Sequence, residues 1–268
     1  MRRFFLLSLL AVAAFAARHE KDIEFAKPGG FSLTLDASVP EGPGPHPAVI
    51  IVHGGGFVRG DKQTFVPPLF APLEAGGFAW FSINYRLAPQ FQHPAPAEDL
   101  AAAMKFLKQN AKRFNIDPAR IAIMGESAGG TIVAHYGLTA KGDLKPKAVV
   151  DFYGIADWNL NLQIKGELSE NAKQFLGPLA SSAEGRRKAS AIAYVSRNAP
   201  PFLFIHGTKD AQVPYEHSPV LCKALEQAGA RCEVFTLEGA GHGVGGWEKV
   251  PAFQTYKAKM VEWLKANL

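Results

Sequence analysis

Short apolar runs alternate with longer amphipathic stretches along most of the chain. The run 48–52 has no polar residue, which is typical of a strand buried on both faces of a sheet. Segment 31–38 instead alternates apolar and polar residues, as a strand with one exposed face does. The pattern predicts strands at 22–25, 31–38, 48–52, 78–83, 121–124, 148–152, 201–205 and 233–237, and helices at 96–110, 216–227 and 247–267.

The order of these elements predicts an α/β fold. Strands that alternate with helices form a mostly parallel central sheet with helices on both faces, and such sheets bind ligands at the carboxyl ends of their strands. Segment 155–196 breaks the alternation, because it lacks a clear strand and carries charged pieces punctuated by Gly and Pro. We expect a short helical insertion that acts as a lid, with irregular surface packing as the alternative.

The most informative motif is G-x-S-x-G at residues 125–129. It lies between an apolar run and a stretch of small residues, so we expect a strand to turn sharply into a helix at Ser127. Glycines two residues to either side leave room for this turn, which exposes the serine hydroxyl as a nucleophile. Glycine and serine are common, so the motif indicates a catalytic serine only if a base and an acid are found elsewhere in the chain.

A serine is a poor nucleophile at neutral pH unless a base takes its proton. His242 is the predicted base, because it follows the last predicted strand in a glycine-rich loop. An acid must then hold the tautomer of this histidine and stabilise the imidazolium. Asp210 is the favoured acid, since it follows the next-to-last predicted strand, and Asp157 is the alternative.

The same reaction needs donors for a developing oxyanion. The backbone N–H of Ala128, at the start of the helix after the serine, is one predicted donor. The glycine loop 53–56 directly follows a buried strand. The N–H groups of Gly55 and Gly56 are predicted to be the other donors, because no side chain there obstructs the substrate. His53 is predicted to orient this loop rather than to transfer protons.

Further residues near the strand ends are candidates for supporting roles. Glu126 is predicted either to influence His242 or a nearby amide, or to be an ordinary side chain screened by solvent. Arg86 and Asp99 are predicted to form a buried structural ion pair, with a role in substrate binding as the alternative. The candidate pocket residues are aromatic, although aromatic side chains more often belong to a core. These candidates are Phe57, Tyr153 and Trp158.

Length, composition and charge limit the classes of function. The 268 residues are 47% hydrophobic and contain no internal repeat or linker, which predicts a single domain over 17–268. The net charge is +5, or +3 without Arg2 and Arg3, and there is no basic cluster. No nucleic-acid partner is therefore implied.

Residues 1–16 have the features of a secretory signal peptide. Two arginines precede the mostly apolar run 4–15, which ends in the small residues of an A-x-A site. We expect cleavage near Ala17 or Arg18, a secreted or periplasmic protein, and no membrane attachment afterwards. An uncleaved N-terminal anchor is the alternative, although the run is short for a membrane span.

Cys222 and Cys232 are the only cysteines. In an exported chain two cysteines ten residues apart either form a disulfide or stay as two buried thiols, and both readings remain open. Their spacing matches no zinc motif, and no metal is predicted.

Five motifs in order resemble the α/β-hydrolase esterases of the hormone-sensitive-lipase-like group, and more closely its secreted acetyl-esterase and feruloyl-esterase-like carbohydrate esterases. The motifs are HGGGF at 53–57, NYRLAP at 84–89, GESAGG at 125–130, HGTKDAQVP at 206–214 and GAGHG at 239–243. The resemblance implies a triad of Ser127, Asp210 and His242 in the chain order of that fold. It also implies an oxyanion hole from Gly55, Gly56 and Ala128. Larger relatives carry a helical cap before the glycine motif, for which little sequence is present here, so we expect an open pocket.

The predicted function is a secreted serine carboxylesterase that hydrolyses short-chain acyl esters and needs no cofactor. The resemblance suggests acetyl or feruloyl groups on plant polysaccharides as substrates. A serine peptidase of the dipeptidyl-peptidase-like branch and a non-catalytic hydrolase-fold binding protein are the alternatives. The sequence leaves the oligomeric state open.

Overall fold

An eight-stranded sheet runs through residues 17–268, the part of the chain that the computed structural model describes. Its strand order is β1-β2-β4-β3-β5-β6-β7-β8. Strand β2 pairs antiparallel with β1 and β4, and the remaining pairs are parallel. The strands are β1 (Ala17–Ala26), β2 (Leu33–Pro40), β3 (His46–Val52), β4 (Ala79–Ile83), β5 (Ile116–Glu126), β6 (Val149–Phe152), β7 (Phe202–Gly207) and β8 (Cys232–Leu237). The mostly parallel α/β fold predicted from the sequence is therefore confirmed.

Helices cover both faces of the sheet. They are α1 (Phe70–Ala75), α2 (Ala95–Gln109), α3 (Ala128–Thr139), α4 (Trp158–Lys165), α5 (Glu170–Leu176), α6 (Ala183–Lys188), α7 (His217–Gln227), α8 (Val244–Trp247) and α9 (Thr255–Asn267). Successive side chains of a strand point to opposite faces. In β3, Ile50 therefore joins the core formed with α2, α3 and α7, whereas Ile51 joins the core formed with α1, α8 and α9.

The predicted helix 247–267 was wrong over its first part. The structure has α8, then a 3-10 turn at Pro251–Gln254, and only then α9. Val250 is extended, with φ −124° and ψ 106°. A proline disfavours the helical conformation in the residue before it, so Pro251 prevents one continuous helix.

Segment 155–196 contains the short helices α4, α5 and α6 and no strand. Its aromatic side chains pack on the body of the protein. Phe175 stacks on Phe57 with ring centroids 3.9 Å apart, and Trp158 is fully buried beside both. The segment is thus attached by a small aromatic cluster, and its role as a lid stays a prediction.

A disulfide and an ion pair each join two parts of the chain that are close in sequence. A disulfide connects Cys222 in α7 to Cys232 in β8, with 5.6 Å between their Cα atoms. Asp99 in α2 accepts hydrogen bonds from Arg86 Nε at 2.9 Å and from the Arg86 N–H at 2.7 Å. Asp99 is buried, so this ion pair fixes α2 to the loop that follows β4.

The predicted signal peptide lies outside the described residues. Within residues 17–268, no helix has both the length and the apolar character needed to cross a membrane.

A buried histidine on α3 predicts acid-sensitive stability. Burial, reinforced by the neighbouring His93, lowers the pKa of His135 to about 4. An unfolded imidazole titrates near 6.5, so between these pH values the unfolded state binds more protons and stability falls as the pH drops. The His135→Phe variant lacks this titration. We expect its free energy of unfolding, relative to that of the wild type, to rise by about 3 kcal/mol between pH 7 and pH 4.

Urea unfolding of both proteins at pH 7 and at pH 4 to 5 measures this effect. Parallel changes in the free energy of unfolding for the wild type and the variant would contradict it.

Candidate active site

Ser127 stands at the turn between β5 and α3 in a strained backbone conformation. Its φ is +55° and its ψ is −115°, outside the regions that ordinary residues favour. A Cβ on Gly125 would meet the carbonyl of Gly129, and a Cβ on Gly129 would meet the carbonyl of Val52. Both flanking glycines are therefore required by close backbone packing, as a sharp strand-to-helix turn demands.

The structure brings together three polar side chains that are far apart in sequence. His242 Nε2 lies 2.9 Å from Ser127 Oγ, and His242 Nδ1 lies 2.6 Å from Asp210 Oδ2. The three residues follow β5, β7 and β8, whose carboxyl ends meet at one edge of the sheet. This arrangement allows the imidazole to take a proton from the serine while the carboxylate holds the other ring nitrogen.

Asp210 is held as a carboxylate. Its Oδ1 accepts hydrogen bonds from the N–H groups of Gln212 and Val213, each at 2.9 Å. Burial would raise the pKa of Asp210, but hydrogen bonds from His206, His242 and the Val213 N–H hold it well below its usual range. A charged carboxylate is therefore present throughout the neutral pH range.

The alternative acid, Asp157, makes its contacts at the start of α4. Its Oδ1 accepts a hydrogen bond from the N–H of Asn159 at 2.8 Å, so it caps the N-terminus of α4. Asp157 also lies 3.4 Å from Ser190 Oγ. These contacts describe a helix cap rather than a partner of His242.

The glycine loop after β3 packs beside the serine turn. Gly56 lines the same cavity as Ser127 and Ala128, whereas Gly55 does not line it. Gly55 and Gly56 have φ values of +105° and +63°, which glycine adopts readily. Within residues 17–268, the N–H groups of Gly55, Gly56 and Ala128 donate no hydrogen bond to the protein. Two of these three residues, Gly56 and Ala128, line the cavity, so their N–H groups are the better placed for an external acceptor.

His53 at the start of this loop is buried and held by local contacts. Its Nδ1 lies 2.7 Å from the Gly54 oxygen, and its ring stacks on Tyr85 at 4.3 Å. The Tyr85 hydroxyl donates to the His53 carbonyl at 3.1 Å. Burial lowers the pKa of His53 to about 4. A neutral, stacked imidazole suits the predicted orienting role.

Glu126 is buried next to the nucleophile, so it is not the solvent-screened side chain offered as one reading. Its Oε1 packs against Gly54, where a Cβ would collide with it. Burial raises the pKa of Glu126, while His242, the Tyr153 hydroxyl and the Gly54 N–H act in the opposite direction. The carboxyl group therefore lies between the serine turn and the glycine loop.

A cavity of about 360 Å³ opens beside Ser127. One part of its wall is apolar and includes Phe57, Ile155 and Trp158. The other part is polar and includes side chains from segment 155–196 and from the loop after Asp210. These polar wall residues are Lys165, Ser169, Asn171 and Gln212.

Two of the three aromatic candidates line this cavity, but Tyr153 does not, and that prediction was wrong. Tyr153 has φ +45°, and its side chain turns beneath His242, with ring centroids 4.7 Å apart. Its hydroxyl accepts a hydrogen bond from the Val244 N–H at 2.8 Å. Tyr153 is fully buried and supports the loop that carries His242.

The polar cavity wall and His206 were missed from the sequence. His206 lies within 3.4 Å of Asp210, and its position four residues before Asp210 in HGTKD was the available signal. The residues of α4 and α5 carried no comparable motif. Among the described residues, the one group with metal-ligand spacing is Cys222, Glu226 and Cys232, and its two cysteines are joined in the disulfide.

Comparisons with known proteins give one consistent picture. The BD-FAE family profile matches residues 35–225. Esterase LipC from Mycobacterium tuberculosis is 34% identical over 221 residues, which are 74% of this chain and 53% of LipC. The chain spans about half the length of the curated relatives it matches.

Solved structures with the same fold cover nearly the whole chain. A truncated carbohydrate esterase from gut microbiota has a TM-score of 0.81 at 25% identity, over 95% of this chain and 97% of its own. An acetyl ester-xyloside bifunctional hydrolase from Caldicellulosiruptor lactoaceticus has a TM-score of 0.79 at 23% identity, over 91% of this chain and 95% of its own. The backbone is therefore similar to that of α/β-hydrolase esterases.

Proposed function

This chain belongs to the BD-FAE family of α/β-hydrolases, and we propose that it is a serine carboxylesterase for short-chain acyl esters. The observation that carries the proposal is the hydrogen-bonded series Asp210–His242–Ser127, which ends beside an open cavity. Esterase LipC, the curated relative named above, supports the same reaction class.

The proposed reaction follows from this geometry. Ser127 Oγ attacks the ester carbonyl carbon while His242 Nε2 takes its proton, and Asp210 stabilises the imidazolium. The oxyanion receives hydrogen bonds from the N–H groups of Ala128, Gly55 and Gly56. His242 then protonates the departing alcohol, which leaves an acyl group on Ser127. A water molecule, deprotonated by His242, releases the acid and restores the serine.

The size and lining of the cavity support small esters with a polar alcohol part. A volume of about 360 Å³ lies near the low end for ligand pockets. Phe57, Ile155 and Trp158 suit a short acyl group, and the polar wall suits a hydroxylated alcohol. The similarity to a carbohydrate esterase supports a carbohydrate ester as the substrate, and we propose acetyl or feruloyl esters of plant polysaccharides.

A substrate panel and a covalent probe test the proposal on the wild-type protein. The panel contains p-nitrophenyl acetate, butyrate and octanoate, acetylated xylan, a feruloyl ester and a dipeptide p-nitroanilide. A fluorophosphonate should label the peptide that contains Ser127, as detected by mass spectrometry. We expect the highest kcat/KM for acetate or butyrate. Preference for the anilide would favour a peptidase, and neither hydrolysis nor labelling would favour a binding protein.

Trp158 is predicted to limit the length of the acyl group. We expect Trp158→Ala to raise the ratio of kcat/KM for octanoate over acetate by about tenfold, since a few buried methylenes contribute this much to discrimination. Trp263→Ala removes a tryptophan from α9 on the other face of the sheet and should leave the ratio unchanged. Equal ratios in both variants would show that Trp158 does not contact the acyl chain.

We also propose that the protein is exported after cleavage of residues 1–16. The disulfide between Cys222 and Cys232 supports an oxidising compartment. Mass spectrometry of protein recovered outside the cytoplasm should find an N-terminus near Ala17 or Arg18. An intact Met1 on the exported protein would contradict cleavage.

A further inference from the structure

A second imidazole lies against the carboxylate of Asp210. His206 is near the end of β7 and is fully buried. Its Nε2 lies 3.1 Å from the Val213 carbonyl oxygen and 3.4 Å from Asp210 Oδ2. Its Nδ1 lies 2.8 Å from Ser218 Oγ in α7. Every polar atom of this ring therefore has a partner.

These partners determine where the ring carries its proton. A carbonyl and a carboxylate oxygen only accept hydrogen bonds, so Nε2 must be the protonated nitrogen. The Ser218 hydroxyl can donate or accept, so it satisfies Nδ1 whether or not that nitrogen carries a proton. His206 thus presents a fixed N–H to the acid loop.

His206 holds the acid loop in two ways. Its N–H donates to the carbonyl of Val213, and the Val213 N–H itself donates to Asp210 Oδ1 at 2.9 Å. The same Nε2 lies 3.4 Å from Asp210 Oδ2, the oxygen that lies 2.6 Å from His242 Nδ1. A rotation of the carboxylate away from His242 would break both sets of contacts.

We propose that His206 is a positioning residue that keeps the Asp210 carboxylate aimed at His242. The inference rests on the proposed function, in which Asp210 orients the catalytic base. It adds a fourth side chain, outside the predicted triad, on which the alignment of His242 depends. A small displacement of a catalytic group lowers the rate strongly, because the reaction needs near-attack geometry.

Two variants of His206 separate positioning from structural support. In His206→Gln the side-chain amide nitrogen replaces Nε2 and keeps the donor to Val213 and Asp210. In His206→Asn the amide oxygen replaces Nδ1 and keeps only the contact with Ser218. Each variant loses one side of the ring, so their melting temperatures should be similar.

We expect kcat for p-nitrophenyl acetate to fall by less than about threefold in the Gln variant and by about 10- to 100-fold in the Asn variant, with KM nearly unchanged in both. The proposal would be overturned if kcat fell equally in both variants, if both kept the wild-type kcat, or if the Gln variant lost more than the Asn variant. Wild-type activity in the same assay tests the proposed function separately, because only the ratio between the variants bears on His206.

A measurement on the wild-type protein keeps the test valid if a variant does not fold. Nitrogen-15 NMR of histidine-labelled protein reports which ring nitrogen carries the proton. We expect a protonated Nε2 on His206, assigned by the loss of its signal in either variant that folds or by through-bond correlation. An Nε2 without a proton would rule out the donor to Asp210, whatever the enzymatic activity.

Discussion

Replacing Ser127 with alanine is expected to lower kcat for p-nitrophenyl acetate by about 10⁴- to 10⁶-fold, as loss of the nucleophile does in serine hydrolases. The variant lacks the hydroxyl that lies 2.9 Å from His242 Nε2, so no acyl-enzyme can form. The fold should persist, because the strained backbone at residue 127 is set by its flanking glycines and by the hydrogen bond of the Ser127 N–H to Phe152. Steady-state kinetics and a thermal melt measure the two effects.

Ser182→Ala is a matched control. Ser182 Oγ accepts a hydrogen bond from the Gly185 N–H and caps α6, away from the residues that line the cavity. This variant should lose about 1 kcal/mol of stability and keep kcat within about twofold of the wild type. Equal hydrolysis by Ser127→Ala and the wild type would remove the basis of the proposed function.

The second large effect is expected from Asp210→Asn, which should lower kcat by about 10⁴-fold. The Gln212 and Val213 N–H groups point at Oδ1 of residue 210, so they will hold the amide oxygen of the asparagine. The amide NH₂ then faces His242 Nδ1, which must accept instead of donate. His242 Nε2 would carry the proton and could not take one from Ser127.

Asp157→Asn provides the comparison, because both aspartates follow predicted strands. Asp157 caps α4, and asparagine is also a good cap, so activity and stability should change little. Kinetics of the two variants at pH 7 to 8 decide between the acids. A larger loss in Asp157→Asn than in Asp210→Asn would reverse the assignment.

The central sheet could be predicted from the sequence because burial on both faces imposes a distinct pattern. Strands such as β3 read as unbroken apolar runs, and each predicted strand has a counterpart in the structure. The ends of the strands and helices were predicted less accurately. Strand β1 begins at Ala17 rather than at residue 22, because its exposed half pairs with β2 through backbone hydrogen bonds, which leave no apolar pattern.

The proximity of Ser127, Asp210 and His242 was also predictable, since loops after parallel strands meet at one edge of the sheet. The cavity wall was not. Tyr153 was expected to line it, yet a positive φ at that residue turns the ring beneath His242. Unlike Ser127 in G-x-S-x-G, Tyr153 belongs to no motif that signals its positive φ. Helices α4 and α5 are only eight and seven residues long, which is too short for periodicity to reveal their orientation.

The residues proposed to break the ester bond all lie outside segment 155–196, whereas much of the cavity wall lies inside it. The proposed catalytic residues and this part of the cavity wall are thereby encoded in separate stretches of the gene. Recombination of that stretch between homologues offers a direct route to chimeric hydrolases with altered preferences. The stacked rings of Phe57 and Phe175 connect the segment to the rest of the protein, so any such chimera must preserve this contact.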